Sequence, residues 1–347
     1  MPNPNPTPLS LNTSLTHLSA ALLLHLLLLT TATSILLLLL LLLLFLTPTS
    51  PFPSPNRLFN SSKLALLIED RPLPILAPLV LHFTAVVPPD WLFLFLGSQA
   101  SVSKMNASAA VRQRVRQGKL KLAAIPDNTS VASEEMISRF LTSSWLYEEA
   151  IAPAEWLLIF QTDSIICANS RVDVHHFLPY DWVGAPWNPT GEWGGNGGLS
   201  LRRVAPIRRI LRSQHRVANS DPEDVWLSER LRYTPGSLMA NGSVSLAFSA
   251  EIHAGPAGVD RLVLPRLVNG TILNDDGDFL QGMDDWRRGF YEPMGYHIGG
   301  GGVWLHGPVW GTPELRSHIW HYCPEVKMTL PMDVARFVPG ECAARWP

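Results

Sequence analysis

Residues 18–46 form an almost wholly apolar run near the start of a chain of 347 residues. Between Ile35 and Leu46 the run contains no polar side chain. A helix from Ala20 to Leu46 would extend roughly 40 Å, which exceeds the ~30 Å of hydrocarbon in a bilayer. The run therefore predicts one transmembrane helix that precedes the rest of the chain.

A cleaved signal peptide is the alternative interpretation of this run. Signal peptides have a basic amino end, a shorter apolar core and a small-residue cleavage site. Residues 1–17 contain no Lys or Arg, and no site of the A-x-A type follows Leu46. We therefore expect an uncleaved signal anchor at 18–46, with a short polar tail before it and a Pro/Ser-rich stem at 47–57 after it.

Two signals in the sequence disagree about the orientation of this anchor. Arg57 and Lys63 follow the run and nothing basic precedes it, which favours a cytosolic domain. Glycosylation sequons of the form N-x-S/T favour the lumen instead. After the run, these sequons begin at Asn60, Asn106, Asn128, Asn241 and Asn269, and Asn12 begins another before it. We give the sequons more weight and expect a single-pass type II protein whose domain at 58–347 faces the lumen of the Golgi or endoplasmic reticulum.

The composition limits the partners and the cross-links of the chain. The formal net charge of −2 argues against a nucleic-acid partner, because phosphate binding needs a surplus of Lys and Arg. Three cysteines are too few for a disulfide framework. Cys323 and Cys342 can pair in an oxidising lumen, while Cys167 follows an apolar run and is expected to be a buried thiol. Three free cysteines are the alternative.

Short apolar runs alternate with helix-length segments in the globular part. Strands are predicted at Leu64–Ile68, Trp91–Leu96, Leu120–Ile125, Trp156–Phe160 and Trp182–Gly184, and helices at Pro72–Val87, Ala107–Gln117 and Ser133–Ala150. This alternation predicts an α/β domain with a mostly parallel sheet flanked by helices. Ligands bind such sheets beyond the carboxyl ends of the strands, so the residues that come after each strand are the candidates for function.

Asp163 lies just past the predicted central strand. A carboxylate there can hold a divalent cation against a diphosphate, as sugar-nucleotide transfer requires. In the D-x-D pattern usual for such sites, Gln161 stands in place of the first acid, which puts the metal in question. A late histidine, His297 or His306, can add a neutral imidazole nitrogen to the cation. The alternatives are a turn-capping role for Asp163 and structural roles for both histidines.

A glycine-rich stretch, WGGNGGLSLRR, runs from Trp193 to Arg203. Its two glycine pairs surround Asn196 and permit positive φ and close backbone approach. Such a loop can lie against a sugar with its amides directed at the ligand, and the LSLR segment reads as a strand that leaves the site. The alternative is a tight hairpin turn.

Two adjacent acids begin a predicted helix after the glycine-rich stretch. Asp221 suits the N-cap and Pro222 the first helical position. Glu223 and Asp224 then fall in the first turn, where the helix dipole favours their charge. One of them can deprotonate an acceptor hydroxyl as general base. Acid-rich helix capping is the alternative.

Taken in order, several motifs together resemble one family. They are LLIEDRP, LIFQTDSIIC, DWVGAPW, GGNGGLSLRR, PEDVWLSERL, PMGYH and YCPE, spread over roughly Leu64 to Cys323. They resemble the uncharacterised fungal glycosyltransferase-like domain, a domain of unknown function. The resemblance implies a GT-A-type fold with a Rossmann-like nucleotide half and an acceptor half. It also implies transfer of a sugar from a nucleoside diphosphate sugar to a hydroxyl of a glycan, protein or lipid.

The resemblance assigns the donor side of the site. Glu69, Asp70 and Arg71 match the end of the first strand near the nucleotide. Asp163 matches the acid that binds the metal and the diphosphate, and His297 matches the late histidine. The implied cofactor is Mn²⁺ or Mg²⁺.

The resemblance also assigns the acceptor side. Asn196, Gly197 and Gly198 match a G-N-G-G loop that contacts the bound sugars. Glu223 and Asp224 match the acid pair that supplies the base, and we favour Asp224. The alternative function is a non-catalytic membrane protein that keeps the fold and binds a sugar or nucleotide sugar, which the missing first acid of the D-x-D pattern favours.

Overall fold

The structure is a computed structural model that describes residues 61–127, 129–256, 264–268, 271–275 and 280–331. The chain divides into two units, Met1–Pro53 and Ser54–Pro347, and the described residues all belong to the second. The predicted tail, anchor and stem lie outside the described residues. None of the helices within the described ranges is both long enough and apolar enough to cross a membrane. The transmembrane helix therefore stays a prediction.

Strands and helices alternate along the chain. The strands are β1 (Lys63–Glu69), β2 (Leu92–Gly97), β3 (Leu120–Ala124), β4 (Trp156–Phe160), β5 (Ser164–Ile166), β6 (Trp182–Gly184), β7 (Leu199–Arg203), β8 (Ser249–Ala250), β9 (Leu264–Val268), β10 (Thr271–Asp275) and β11 (Gly295–His297). The α-helices are α1 (Leu76–Val86), α2 (Gln99–Ala107), α3 (Ala109–Arg116), α4 (Glu134–Leu141), α5 (Val204–Ser213), α6 (Glu223–Arg232), α7 (Gly242–Phe248), α8 (Gly307–Trp310) and α9 (Pro313–Tyr322). Shorter helical turns are Leu146–Ala150, Val174–Phe177, Asp285–Arg287 and Pro324–Thr329.

A six-stranded sheet forms the centre, in the order β3-β2-β1-β4-β7-β6. The pairs β3–β2, β2–β1 and β1–β4 are parallel, whereas β7 runs antiparallel to both β4 and β6. The prediction of an α/β domain with a mostly parallel sheet flanked by helices is therefore confirmed. Because β1 and β4 are parallel neighbours, the residues after them emerge at the same edge of the sheet.

Both faces of this sheet are buried, which explains the continuous apolar runs in its central strands. Alternate side chains of a strand point to opposite faces. In β1, Ala65 and Leu67 join one buried cluster, and Leu64 and Leu66 join another. Helix α1 covers the first face, and helices α4, α5 and α6 cover the second.

A second sheet of three short strands, β5-β11-β8, positions the residues that come after the central strand. Strand β11 pairs antiparallel with β5, so that His297 lies opposite Ser164. It pairs parallel with β8, so that Tyr296 lies opposite Ala250. Continuing the parallel register by one residue places Glu251 opposite His297, and continuing the antiparallel register places Asp163 opposite Ile298, the neighbour of His297.

Several predicted helix boundaries differ from the structure, and the first helix, predicted from Pro72, begins at Leu76. The segment Ser133–Ala150 is not one helix, because α4 ends at Leu141 and a separate wide helical turn covers Leu146–Ala150. Ser133 does cap α4, since its hydroxyl accepts from the amide of Met136. Helix α6 begins at Glu223, one residue later than predicted, and Pro222 is its N-cap without a side-chain cap.

The cysteine prediction was wrong about the partner. Cys167, at the end of β5, forms a disulfide with Cys323, which ends α9, and their Cα atoms are 4.9 Å apart. Both residues are buried. Sequence spacing favoured Cys342 only because it is near Cys323 in the chain, and residue 342 lies outside the described residues.

Candidate functional site

A cleft of about 740 Å³ opens at the edge of the central sheet where β1 and β4 end. Its lining combines the residues after these strands with the start of α4 and a glycine turn; examples are Glu69, Asp70, Arg71, Ser133, Gln161, Thr162, Asp163, Gly300 and Gly301. This is the place where ligands bind in open α/β sheets. The candidates from the first and central strands therefore share one cavity.

Arg71 gives the cleft a fixed positive charge. Its side chain is 65% exposed, and its Nε and Nη2 atoms donate to the two carboxylate oxygens of Glu69 at 2.8 and 2.7 Å. The hydrogen bond to Glu69 raises the pKa of Arg71, against a smaller opposing effect of burial. Glu69 itself is only 7% exposed. Glu69 is therefore a support that orients Arg71, and Arg71 is the group that can reach an anionic ligand.

Asp163 is held as an ionised carboxylate at the floor of the cleft. Its Oδ2 accepts from the amide of Gly301 at 2.9 Å, and its Oδ1 lies 3.5 Å from Nε2 of His297. Burial alone would raise the pKa of Asp163, but the hydrogen bond and charge of His297 and the Gly301 amide outweigh burial and lower it. Asp163 thus brings a negative charge to the cleft at neutral pH.

His297 lies among three oxygen-bearing side chains. Its Nε2 is 3.3 Å from Oε1 of Gln161 as well as 3.5 Å from Asp163, and its Nδ1 is 3.2 Å from Oε1 of Glu251. Burial lowers the pKa of His297, yet Asp163 and Glu251 more than compensate and raise it to about 9. The other late histidine, His306, precedes α8 and has no contact of this kind in the part of the chain that the structure describes.

The glycine-rich loop keeps its amides inside the protein. The amide of Gly197 donates to Oδ2 of Asp224 at 2.9 Å, and the amide of Gly198 donates to Oδ1 of Asn196 at 2.7 Å. The side-chain amide of Asn196 in turn donates to Glu251 at 3.3 Å. The expectation that these amides face a sugar was wrong, because they already donate hydrogen bonds to Asp224, Asn196 and Glu251.

Close packing is the reason for glycine at positions 197 and 198. A Cβ on Gly198 would lie 2.3 Å from Nε2 of His297 and 2.7 Å from Oε1 of Gln161. A Cβ on Gly197 would lie 2.7 Å from Oε1 of Glu223 and 3.1 Å from the Cβ of Asp224. The loop therefore separates a cleft side, which holds His297, from a helix side, which holds the acid pair. The positive φ expected of this stretch occurs in the other glycine pair, residues 194–195.

The two acids on the helix side differ in their partners. Glu223 is buried and accepts from Nη2 of the fully buried Arg202 at 2.6 Å. Asp224 accepts from the amides of Gly197 and Val225. Burial, together with the smaller effect of the charge of Glu223, raises the pKa of Asp224 to about 7, even though both amides lower it. Asp224 is therefore the acid of the pair that can exchange a proton near neutral pH.

All of the predicted site residues lie around one sheet edge. Glu69, Asp70, Arg71 and Asp163 line the cleft, while His297, Asn196, Gly197 and Gly198 form the layer behind Asp163. The acid pair is one loop further away. Because consecutive Cα atoms are 3.8 Å apart, the contacts across the loop limit the distance from the Cβ of Asp224 to Nε2 of His297 to about 12 Å.

Sequence reasoning missed two charged residues of the site, Glu251 and Arg202. Both are buried, and both pair with a predicted residue, Glu251 with His297 and Arg202 with Glu223. One feature of the sequence could have indicated them, since each is a charged residue in or next to a short apolar strand. Glu251 follows SLAFSA, and Arg202 is the first arginine of LSLRR. A buried charge at such a place requires a partner of opposite charge.

No group of three or more His, Cys, Asp or Glu side chains in the described ranges is arranged to hold a metal ion. Asp163 and His297 are two residues of these types. The amide oxygen of Gln161 lies 3.3 Å from Nε2 of His297, the ring nitrogen that faces Asp163. The donors available at this point are thus one carboxylate and one amide oxygen, because the raised pKa of His297 keeps its imidazole protonated at neutral pH.

Known proteins resemble this chain in part of its length. A family described as "Protein of unknown function (DUF5672)" matches residues 119–257, and no curated protein matches the chain. A mannosyltransferase from Pyrobaculum calidifontis, in complex with GDP-Man and Mn²⁺, is 11% identical with a TM-score of 0.34, over 55% of this chain and 57% of that one. The mannosyltransferase Ktr4p from S. cerevisiae is 10% identical with a TM-score of 0.27, over 37% of this chain and 41% of that one.

The chain thus spans less than two thirds of either mannosyltransferase. The family match agrees with the expectation of a domain of unknown function. It does not show that the chain comes from a fungus. Residues 119–257, which include the central strand, the glycine-rich loop and the acid pair, are similar to the family of unknown function DUF5672.

Proposed function

We propose that this protein transfers a sugar from a nucleoside diphosphate sugar to a hydroxyl acceptor. The observation that carries the proposal is that Asp163 and Arg71 line one cleft where two parallel strands end, with His297 behind Asp163. Asp163 can offer a carboxylate oxygen to a divalent cation, and Arg71 is a ligand for phosphate oxygens. A diphosphate binds where a cation and a guanidinium face the same cavity.

Within the described ranges, the residues at this cleft do not make up a complete donor set for Mn²⁺ or Mg²⁺. Asp163 would supply one carboxylate oxygen, but His297, whose pKa is raised to about 9, would have to lose its Nε2 proton before it could supply a nitrogen. Glu251 lies 3.2 Å from the opposite ring nitrogen, as the carboxylate does behind many metal-bound histidines. A bound cation would neutralise the charge that develops on the departing diphosphate.

On the donor side, the chain binds and orients the diphosphate. The guanidinium of Arg71 is held in place by both oxygens of Glu69, so it loses little freedom when it meets a phosphate. Gly300 and Gly301 line the same cleft, and their lack of side chains lets a ligand approach the backbone.

On the acceptor side, Asp224 is the group that takes the proton. In an inverting reaction the acceptor oxygen bonds to the anomeric carbon while the bond from that carbon to the diphosphate oxygen breaks. The electron pair leaves with the diphosphate, and the hydroxyl proton passes to Asp224. A carboxylate whose pKa is about 7 is well matched to this role.

We also propose that the domain faces the lumen of the Golgi or endoplasmic reticulum, anchored by residues 18–46 as a type II protein. The disulfide between Cys167 and Cys323 supports an oxidising compartment. Of the sequons, Asn106 and Asn241 lie in the described part, and both are exposed. A shift in gel mobility on deglycosylation, reduced by Asn106→Gln and Asn241→Gln, is the expected result. An unglycosylated protein from eukaryotic cells would contradict the lumenal location.

The experiment for the activity is a panel of nucleotide sugars with the purified full-length protein and MnCl₂. Release of UDP or GDP is measured with and without candidate hydroxyl acceptors. We expect release with one donor, abolished by Asp163→Asn. No release from any donor, with Mn²⁺ or Mg²⁺ present, would count against the proposal.

A non-catalytic nucleotide-sugar-binding protein is the second candidate, and Gln161 in place of an acid favours it. The two functions differ in what happens after binding. A donor that raises the thermal unfolding midpoint and is never broken down, with any acceptor offered, supports the binding protein. Turnover of that donor supports the transferase.

A further inference from the structure

Four consecutive glycines, residues 299–302, form a turn that contributes two residues to the cleft lining. All four have positive φ, between 57° and 92°, which residues with a side chain rarely adopt. The amide of Gly302 donates to the carbonyl of Gly299 at 2.9 Å, and the amide of Gly301 donates to Oδ2 of Asp163 at 2.9 Å. These two hydrogen bonds fix the turn against the floor of the cleft.

An exposed tryptophan lies flat on this turn. A Cβ on Gly300 would lie 2.7–2.8 Å from three bonded atoms of the Trp304 indole, Cε2, Cδ2 and Nε1. A point almost equally far from three atoms of one five-membered ring lies over the face of that ring, because an equidistant point in the ring plane would be much closer. One face of the indole therefore packs on Gly300, and yet Trp304 is 59% exposed.

The absence of side chains on the turn is what allows this packing. A Cβ on Gly299 would lie 2.9 Å from Cε3 of Trp304, and one on Gly300 would lie closer still, so either would displace the ring. The backbone thus holds the indole in a fixed orientation, with little freedom left to lose when a ligand covers its other face. Covering a large apolar ring is favourable, so this face is available as a binding surface.

Trp304 adjoins both the cleft and, through one carboxylate, the glycine-rich loop. Gly300, on which the ring packs, lines the cleft. A Cβ on Gly299 would touch Trp304 and would also lie 3.5 Å from Oε1 of Glu251, which accepts from Nδ2 of Asn196 at 3.3 Å. In the proposed reaction, the acceptor has to reach these same two parts of the site. A molecule that lies on the ring is therefore placed beside the diphosphate site.

A pyranose ring is the ligand that fits this surface. One face of a pyranose presents C–H groups, whose slight positive charge is attracted to the negative face of an aromatic ring. Its hydroxyls then point outwards, where polar groups can bind them. A lipid chain would instead need an apolar groove, and the cleft beside Trp304 is lined by charged residues that include Asp70, Arg71 and Asp163.

We propose that Trp304 is a stacking platform for a sugar ring of the acceptor, so that the acceptor is a glycan and not a protein side chain or a lipid hydroxyl. This inference rests on the proposed function, because glycosyl transfer is the reason for an acceptor to bind beside the cleft. Trp304 binds and orients the acceptor sugar and takes no part in making or breaking bonds.

The test is fluorine NMR of the full-length protein with all 12 tryptophans replaced by 5-fluorotryptophan, in a detergent whose head group is not a sugar. The Trp304 resonance is the one that is missing from Trp304→Phe. The probes are the methyl glycosides of glucose, galactose, mannose and N-acetylglucosamine, added without nucleotide. We expect at least one probe to shift the Trp304 resonance until it saturates.

The affinity for that probe is then compared among variants by saturation-transfer NMR. Trp304→Ala removes the whole ring and is expected to weaken binding about tenfold, the scale of one aromatic contact. Trp304→Phe keeps a smaller ring and is expected to weaken binding about threefold. Thermal unfolding of each variant reports whether it is folded, and Trp304→Phe decides the matter if Trp304→Ala is not.

Trp320→Ala is the matched control. Trp320 is 40% exposed, but it lies on α9 and outside the cleft lining. Leu305→Ser is a second control, since Leu305 is an exposed apolar neighbour of Trp304 in the chain and has no ring to stack on a sugar. Both variants are expected to bind the probe as the parent does.

The outcomes separate this inference from the proposed function. A saturable shift of Trp304, with weaker binding in Trp304→Ala, supports the platform even if no donor is ever turned over. If no probe shifts the Trp304 resonance, or if Trp304→Ala binds as the parent does, the inference is overturned, even if nucleotide is released. Equal loss of binding in Trp320→Ala overturns it as well. A Trp304 resonance that responds to added phosphatidylcholine and to none of the sugars assigns the ring to a lipid and also overturns it.

Discussion

The two sides of the Gly197–Gly198 loop hold carboxylates in opposite electrostatic states. On the cleft side, the pKa of Asp163 is lowered, and on the helix side, the pKa of Asp224 is raised to about 7. Burial raises the pKa on both sides, so burial does not explain the difference. Asp163 faces His297 and an amide, whereas Asp224 lies beside Glu223. The charge of the neighbour decides which carboxylate stays ionised and which one can accept a proton.

The largest effect is expected from removing the permanent charge on the cleft side. Asp163→Asn keeps the shape of the side chain but removes its negative charge from the cleft and from His297. We expect donor turnover to fall by about 10³-fold or more, the scale of losing a principal electrostatic group of an active site. Nucleotide release at saturating donor measures it.

Asp181→Asn is the control for this variant. Asp181 is a buried aspartate that accepts from the amide of Leu238 at 2.8 Å, and it lies outside the cleft lining. Its substitution is expected to leave turnover within a few-fold of the parent. If both variants lose activity equally, the charge of Asp163 has no special role and the comparison between the two sides fails.

The next largest effect is expected on the helix side. Asp224→Asn removes the proton acceptor, and we expect kcat to fall by about 10²- to 10⁴-fold, as general-base losses do. In the parent, the rate must rise with pH through about 7, because only the ionised carboxylate accepts a proton. The pH–rate profile measures this limb. A parent rate that is flat between pH 5 and 9 would contradict the role of Asp224.

Asp224→Asn is expected to lower the activity of the protein but not its stability. In the unfolded chain Asp224 ionises near its usual pKa of about 4. Since its pKa in the fold is about 7, its ionisation costs stability, which falls as pH rises from about 4 to about 7. Asp224→Asn removes this cost, so its unfolding midpoint at pH 8 should equal or exceed that of the parent. A large drop would show that the carboxylate is needed for folding.

The loop between the two sides is tested by adding a methyl group. Gly198→Ala forces a Cβ to within 2.3 Å of His297 Nε2, so either the histidine or the loop must move. We expect a loss of about 1–3 kcal/mol in the free energy of unfolding, typical of overpacking, and roughly tenfold lower turnover. Denaturant unfolding and nucleotide release measure the two. Gly307→Ala, where a Cβ meets nothing within 4 Å, is the control and should change neither.

The strands of the central sheet were predictable because each is a continuous apolar run. The end of each run also marked the cleft, since parallel strands bring the residues after them to one edge of the sheet. The burial of Glu251 and Arg202 was not predictable, because a charged residue next to an apolar strand reads equally as a surface residue. Their partners, His297 and Glu223, are brought to them only by strand pairing and loop packing.

The glycine-rich stretch shows the same limit of prediction from sequence. The stretch around Asn196 predicted a tight loop, but not which of its amides would be occupied. The amides of Gly197 and Gly198 are already hydrogen-bonded, because the carboxylate of Asp224 in the first turn of α6 accepts from one and the side chain of Asn196 accepts from the other. The disulfide partner of Cys167 was likewise hidden, since Cys323 is 156 residues away in the chain. Local patterns predict elements, and contacts between distant elements decide which polar groups remain available to a ligand.

The smallest expected effect is also the sharpest test of how the two acids divide their roles. Glu223→Gln keeps an acceptor for Arg202 but removes the negative charge that contributes to the raised pKa of Asp224. The acidic limb of the pH–rate profile should therefore move to lower pH, by roughly one unit, while the rate on the plateau falls less than about tenfold. Near pH 6 the variant is expected to lose less activity, relative to its own plateau, than the parent does. If Glu223→Gln abolishes turnover and Asp224→Asn does not, the base is Glu223, and the pKa of about 7 at Asp224 serves no catalytic step.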